Sequence, residues 1–215
     1  MVITNKVELK ELAKRQWMFP EIGLQRLQTL NFTSQILPEV GGSRSWRKGR
    51  FKKCFEEFQA ALFAYALSQL ARSYRWEYSY GESQNHEYDC AIRCHLPKDD
   101  GGVVVKPVQL KELPPGALNP QATLQGLING LTKYTAPPEE EILVVAIYIN
   151  RAATISFKEL RIPKLRVEQL WLYGFLDPVN CFLVGNLIAN PVRADFDYPR
   201  FPLASPVEMM RATGR

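Results

Sequence analysis

One stretch of the chain is almost entirely apolar and is bounded by polar residues on both sides. Residues 142–149 read Ile-Leu-Val-Val-Ala-Ile-Tyr-Ile, after three glutamates and before an asparagine. Strands with such continuous apolarity lie inside sheets that are covered on both faces, whereas half-buried strands alternate polar and apolar residues. The stretch therefore predicts a central strand of a sheet with helices on both sides.

The segments before this strand follow a simple order. A long amphipathic helix is predicted from about residue 51 to 73, because one stripe at helical spacing contains Phe51, Cys54, Phe55, Phe58, Ala61, Leu62, Tyr65 and Gln69. Three strand-like segments follow at 74–80, 88–96 and 103–113. A second helix, with Asn119 as N-cap and Pro120 in its first turn, is predicted to end near Tyr134. This order indicates an α/β fold with a mixed sheet between helices.

The chain divides into three regions on sequence grounds. Residues 1–42 are interpreted as an N-terminal helical extension, 43–150 as the core, and 151–215 as C-terminal additions packed on it. Within the extension, a short helix is predicted over 7–17, and Phe19-Pro20 interrupts any longer one. Within the additions, a short helix is predicted over 167–175, a strand over 181–188, and a proline-containing surface tail over the last twenty residues.

Charge is distributed unevenly along the sequence. The chain has 27 lysines and arginines against 22 acidic residues, a net charge of +5 that favours a polyanionic partner. Six of the basic residues fall within ten positions, at Arg44, Arg47, Lys48, Arg50, Lys52 and Lys53, with two aromatic residues among them. Cations interleaved with aromatic rings are typical of nucleic-acid binding, although a solvated surface is the alternative interpretation.

Several function classes are disfavoured. Four cysteines and the lack of a leader pattern predict a cytoplasmic protein with free thiols, and no apolar run approaches the roughly 18 residues of a membrane span. A zinc site from Cys90 and Cys94 is disfavoured, because they would lie about 13 Å apart on one strand. The sequence contains neither a Walker motif nor a Gly-x-Ser-x-Gly turn.

The turn between the second and third strands allows their register to be estimated. If the hairpin centre lies near residue 100, Asp89 faces Lys111, and Gln109 shares their face of the sheet. A strict two-residue turn would instead place Glu112 opposite Asp89, and a bulge at Pro107 would also change the parity. Both registers remain open, and the first is preferred because of the pattern described next.

A glutamate on the helix, an aspartate on the second strand and a Gln-x-Lys on the third form a recognisable succession. It comprises Glu57, Asp89 and Gln109-Leu110-Lys111, and it resembles the PD-(D/E)XK nuclease superfamily over about residues 50–150. The resemblance implies a restriction-endonuclease-like αβββαβ core and an Mg²⁺-dependent endonuclease, with Mn²⁺ as the alternative ion. It also implies that Asp89, the Gln109 amide, the Leu110 carbonyl and Glu57 hold the ion, while Lys111 orients or deprotonates the attacking water.

The sequence departs from the common form of this family at one position. Gln109 stands where a glutamate is usual, and an amide oxygen binds Mg²⁺ more weakly than a carboxylate does. Either Glu57 or Glu112 compensates, or metal binding is weak; Glu56 is expected to face water.

Three functional hypotheses follow. The first is a metal-dependent nuclease that hydrolyses phosphodiester bonds, with DNA as the expected partner and a homodimer as one option. The second is an inactive nuclease-like module that binds nucleic acid. The third is a soluble α/β protein without a nucleic-acid role, in which the basic run at 44–53 is plain surface. The matching interpretation of the single residues is that Asp89 is a solvated strand residue paired with Arg93 and that Lys111 is an edge-strand lysine.

Overall fold

The computed structural model describes residues 14–27, 49–80, 88–96, 102–133, 144–152, 154–156 and 159–200. Its helices and strands are α1 (Gly49–Leu70), β1 (Arg75–Tyr80), β2 (Cys90–His95), β3 (Val103–Leu113), α2 (Leu124–Gly130), β4 (Val144–Ile149), β5 (Gln169–Phe175), β6 (Asn180–Gly185) and β7 (Val192–Asp197). Residues 20–27 are also helical, and a 3₁₀ turn over Leu131–Lys133 follows α2.

The strands form one mixed sheet of seven strands in the order β1-β2-β3-β4-β5-β6-β7. The first three strands pair as an antiparallel meander, β4 lies parallel to both β3 and β5, and the last two pairings are antiparallel. Parallel neighbours need a crossover connection, and the chain between β3 and β4 contains α2.

The two faces of the sheet bury different sets of side chains. On the first, which we call the α1 face, Leu110 and Tyr148 pack with Leu62 of α1. On the second, the α2 face, Ile147 packs with Ile128 of α2. All six residues of β4 are buried, as the apolar run predicted. The expected α/β class, with a mixed sheet between helices, is confirmed.

Helix α1 is buried around most of its circumference in its central part. Every residue from Phe58 to Leu67 is buried, because the sheet covers one side and the helical segment 20–27 packs on the same cluster through Leu24 and Leu27. This segment approaches β1 closely, and a Cβ on Gly23 would lie 2.0 Å from the Tyr78 hydroxyl oxygen. Only glycine fits there without a shift of the neighbouring groups.

The chain preceding this segment also joins the sheet. Met18 and Tyr78 exchange two backbone hydrogen bonds of 2.9 Å each, so residue 18 extends the sheet beyond β1. The helix that follows begins at Pro20, a position where the missing N–H of proline costs nothing. The described part of the N-terminal extension is therefore built into the core.

Two predictions for the C-terminal additions were wrong. Residues 169–175 form strand β5 and not a helix; Leu170, Trp171 and Leu172 are buried between strands on both sides. Such short apolar runs do not distinguish a buried strand from a helix by periodicity. The last twenty residues were predicted to form a surface tail, but its first two, Phe196 and Asp197, are the end of β7 and pair with β6, and Phe196 is buried. Residues 201–215 lie outside the described residues.

The start of the second helix was also predicted too early. Helix α2 begins at Leu124, and its N-cap is Thr123, whose hydroxyl accepts a 3.0 Å hydrogen bond from the Gly126 N–H. Asn119 caps a separate turn instead, because its side-chain oxygen accepts from the Ala122 N–H at 3.1 Å. Residues 7–13 of the first predicted helix lie outside the described residues.

Two further observations concern the chemical setting. All four cysteines are free, as the sequence predicted. Among the helices of the described ranges, none combines the length and the apolarity required to cross a bilayer.

Candidate active site

The pairing of β2 with β3 decides which side chains meet. Cys90 faces Val108, and the ladder continues without a bulge through Pro107. If this register is continued by one residue, Asp89 faces Gln109. Lys111 then lies two residues beyond Gln109 on β3, on the same face of the sheet. The predicted pairing of Asp89 with Lys111 was therefore wrong by two residues. The prediction that Asp89, Gln109 and Lys111 lie on the same face was correct.

The same pairing excludes the alternative register. Side chains of Val108 and Leu110 lie in the α1 cluster, so Gln109 and Lys111, which alternate with them, lie on the α2 face. Glu112 lies on the α1 face and does not face Asp89 across the ladder. The Gln-x-Lys pair therefore shares one face, as the preferred reading of the sequence required.

Asp89 lies where the backbone ladder between β2 and β3 ends. Its N–H donates to the Val108 carbonyl at 3.0 Å. Its Oδ2 accepts a 2.7 Å hydrogen bond from the Leu110 N–H and a second hydrogen bond from the side-chain amide of Gln109. The carboxylate thus takes the place of a backbone acceptor, which holds it in a fixed position beside β3.

Lys111 is half-buried on the same face as Gln109, and its partner across the parallel ladder is Ile147 of β4. The structure therefore brings Asp89, Gln109 and Leu110 into direct contact and adds Lys111 one pleat away. Leu110 contributes its N–H to this contact, whereas the resemblance assigned a role to its carbonyl.

Glu57 lies on the other side of the sheet from the Gln-x-Lys pair. It forms an ion pair of 3.4 Å with Arg26. It also lies close to Tyr78: burial raises the pKa of the Tyr78 hydroxyl, and the negative charge of Glu57 raises it further. These contacts place Glu57 on the α1 face, and the structure does not group it with Gln109 and Lys111.

Its neighbour Glu56 was expected to face water, and this expectation was wrong. The Tyr80 hydroxyl donates a 2.7 Å hydrogen bond to Glu56 Oε2. Because Tyr80 lies at the end of β1, this contact ties α1 to the edge of the sheet near Asp89.

A row of polar side chains on the α1 face was not predicted. Glu112, Tyr148 and Tyr173 are direct partners across β3, β4 and β5. The Asn150 side chain donates to Glu112 at 2.7 Å. Burial raises the pKa of Tyr173 well above its usual value, and the negative charges of Glu112 and Asp89 add to the effect. The tyrosines stand inside otherwise apolar strands, which is the only sequence signal for this row.

A second polar cluster was also missed. Glu77 is buried in β1, and its carboxylate accepts hydrogen bonds from Arg75, Arg93 and His95. Burial alone would raise the pKa of Glu77, but the bonds from Arg93, Arg75 and His95 outweigh it and lower the pKa to about 2. Arg93, which one hypothesis paired with Asp89, is a partner of Glu77.

The donor groups at Asp89 fit one kind of metal site. Over the described ranges, no three His, Cys, Asp or Glu side chains are grouped as a ligand set. Mg²⁺ at sites that bind phosphate, however, is commonly held by one or two carboxylates together with water and substrate oxygens. Asp89 supplies one carboxylate. Rotation of the Gln109 side-chain amide that exchanges its nitrogen and oxygen would place the amide oxygen beside the Asp89 carboxylate. These two groups fit an ion that binds together with a phosphate.

The predicted nucleic-acid-binding segment is mostly outside the described part of the chain. Arg44, Arg47 and Lys48 lie outside the described residues. Arg50 and Lys52 belong to α1, but their side chains are also outside the description. Lys53, the last of the six, is exposed on α1.

Comparisons of the chain with protein-family models, with curated proteins and with solved structures found no match. The candidate site is therefore interpreted from its own geometry.

Proposed function

We propose that this protein is a metal-dependent nuclease that hydrolyses phosphodiester bonds, with DNA as the substrate. The observation that carries the proposal is the contact of Asp89 with Gln109 and Leu110, together with Lys111 on the same face. The order of elements adds support, because α1, three antiparallel strands, α2 and a parallel fourth strand form the succession that a restriction-endonuclease-like core would have.

Each residue has a distinct task in this proposal. Asp89 would hold Mg²⁺ through its carboxylate, which the Leu110 N–H keeps in place. Gln109 would add its amide oxygen after the amide has turned. Lys111 would donate a hydrogen bond from its ammonium group to the phosphate, so that the negative charge developing on the phosphorus-bound oxygens is offset, and it would help to orient the attacking water. A bound Mg²⁺ supplies Lewis-acid stabilisation of that charge and lowers the pKa of bound water.

The same geometry also favours a second candidate, an inactive nuclease-like module that binds nucleic acid. In the structure, Asp89 Oδ2 already accepts two hydrogen bonds, and Gln109 adds no negative charge. A site with one carboxylate attracts a divalent cation less strongly than a site with two. A cytoplasmic location belongs to both candidates and is supported by the four free cysteines.

Plasmid cleavage with Mg²⁺ or Mn²⁺ tests the proposal. We expect Asp89→Asn and Lys111→Ala to lower the cleavage rate at least about 100-fold, the lower range for loss of a group that acts on protons or charge in the transition state. Asp195→Asn is the matched control, because Asp195 is an exposed carboxylate on β7 far along the sheet.

Three outcomes separate the candidates. Cleavage that depends on metal and is lost in both variants supports the nuclease. Salt-sensitive binding without cleavage at any metal concentration supports the module. Absence of both, with duplex and with single-stranded substrates, refutes both.

A further inference from the structure

The cluster around Glu77 has more positive than negative charge. Two guanidinium groups, from Arg75 and Arg93, and the His95 imidazole share the single Glu77 carboxylate. Even with the imidazole neutral, one full positive charge is left over. Arg75 keeps 44% of its side chain exposed, Arg93 27% and His95 29%, so this charge is presented to solvent.

Aromatic rings support both guanidinium groups. The Arg93 guanidinium carbon lies 4.5 Å from the centre of the Trp17 ring, and that of Arg75 lies 4.9 Å from the centre of the Phe19 ring. Phe19 is itself 39% exposed. Residues 17 and 19 flank Met18, whose backbone pairs with β1, so the N-terminal segment holds both rings beside the strand.

These groups lie on the same face of the sheet as the candidate site. Glu77 and Arg93 are direct cross-strand partners. Ile92, which precedes Arg93 on β2, packs in the cluster on the α1 face. Because side chains alternate along a strand, Arg93 and Glu77 lie on the α2 face. Arg93 and Asp89 therefore face the same way along β2, four residues and about 13 Å apart.

We propose that this surface, formed by Trp17, Phe19, Arg75, Arg93 and His95, binds single-stranded nucleic acid. The excess positive charge is complementary to phosphates, and planar groups held in place offer stacking positions for unpaired bases. In a duplex the bases are stacked on one another and cannot stack on these rings, so a duplex would contact this surface only through its phosphates. The inference rests on the proposed function for the kind of partner, but it does not require cleavage.

Fluorescence anisotropy with a labelled 20-nucleotide oligo(dT), in Asp89→Asn protein with EDTA, measures this binding without cleavage. A 20-base-pair duplex serves as the competitor. Phe19→Ala is expected to weaken binding of the single strand at least about fivefold, the lower end of what one stacked base contributes. Arg75→Ala is expected to do the same and to reduce the slope of log K against log salt by about 0.7, the value for one phosphate contact on a single strand.

Two further variants keep the test decisive. Arg75→Lys retains the charge and a bond to Glu77 but loses the plane, so it should keep the salt slope and lose affinity. Arg193→Ala is the control, because Arg193 forms the same kind of i, i+2 pair with Asp195 on β7. Thermal melting of each variant excludes unfolding as the cause of a loss.

The results that would overturn the inference are specific. Unchanged affinity in Phe19→Ala and Arg75→Ala refutes it, as does an equal loss in Arg193→Ala, which would indicate diffuse charge. Tighter binding of the duplex than of the single strand also refutes it. If binding follows the expected pattern but plasmid is never cleaved, the proposed nuclease activity fails and the binding surface stands.

Discussion

Substitution of Glu77 by glutamine tests how much the buried Glu77 carboxylate and its hydrogen bonds stabilise the fold. The Glu77 side chain is only 5% exposed and bonds to two arginines and a histidine. These bonds lower its pKa from 4.5 to about 2. At 1.36 kcal/mol for each pH unit, this shift corresponds to at most about 3 kcal/mol of stability.

The expected loss is smaller than this upper bound. Solvent screens the exposed parts of Arg75 and Arg93, so we expect Glu77→Gln to lower the free energy of unfolding by about 2 kcal/mol at pH 7. The sign of the pH dependence is fixed by the lowered pKa. The contribution of Glu77 is fully present above pH 4.5 and is lost as the pH falls towards about 2.

Urea unfolding at pH 7 and at pH 2.5, followed by circular dichroism, measures both effects. Glu168→Gln is the control, because Glu168 pairs with Lys106 at the surface and is 39% exposed; its loss should stay below about 1 kcal/mol. The reasoning fails if Glu77→Gln costs no more than the control. It also fails if the difference from wild type is as large at pH 2.5 as at pH 7, since packing and not charge would then be responsible.

Three more predictions follow from other parts of the molecule. Gly23→Ala should destabilise the protein by about 1–3 kcal/mol in urea unfolding, because its Cβ would meet the buried Tyr78 side chain, whereas Gly130→Ala, with open space around it, should cost nothing. Without metal, the Gln109→Glu variant should melt a few degrees below wild type, because the substitution sets two carboxylates side by side. Addition of 10 mM Mg²⁺ should raise the melting temperature of the variant more than that of wild type; an equal rise would place the metal elsewhere. In a thiol titration of the folded protein, Cys54 should react first, and the three buried cysteines should react only on unfolding; early reaction of any of these contradicts the packing of Cys90, Cys94 and Cys181.

The sequence predicted most of the framework that carries the candidate site. The apolar run at 142–149 identified a strand buried on both faces, because only a covered strand can be apolar at every position. The alternation around Gln109 and Lys111 predicted that both side chains share a face, because the strand period of two is a local property. Asp89 was placed on the same face by parity alone, and its contact with Gln109 agrees with that.

Other features depended on the tertiary structure. The register of β2 against β3 differs by two residues from the estimate, because the number of residues in the connection sets it and composition does not specify that number. Strand β5 looked like a helix, because its short apolar run fits both periods until its neighbours are known.

The pairing partners of charged groups were the least predictable. Glu57 was assigned to the metal site from its place on α1, yet that helix packs on the face opposite Gln109 and Lys111, and its ion pair is with Arg26. Glu77, Arg93 and Trp17 are far apart in sequence and meet only because the N-terminal segment joins β1. The sequence by itself determined the strands and their faces, which depend on local periodicity. Only the tertiary structure decided which charges meet across them, because those contacts depend on how distant segments pack.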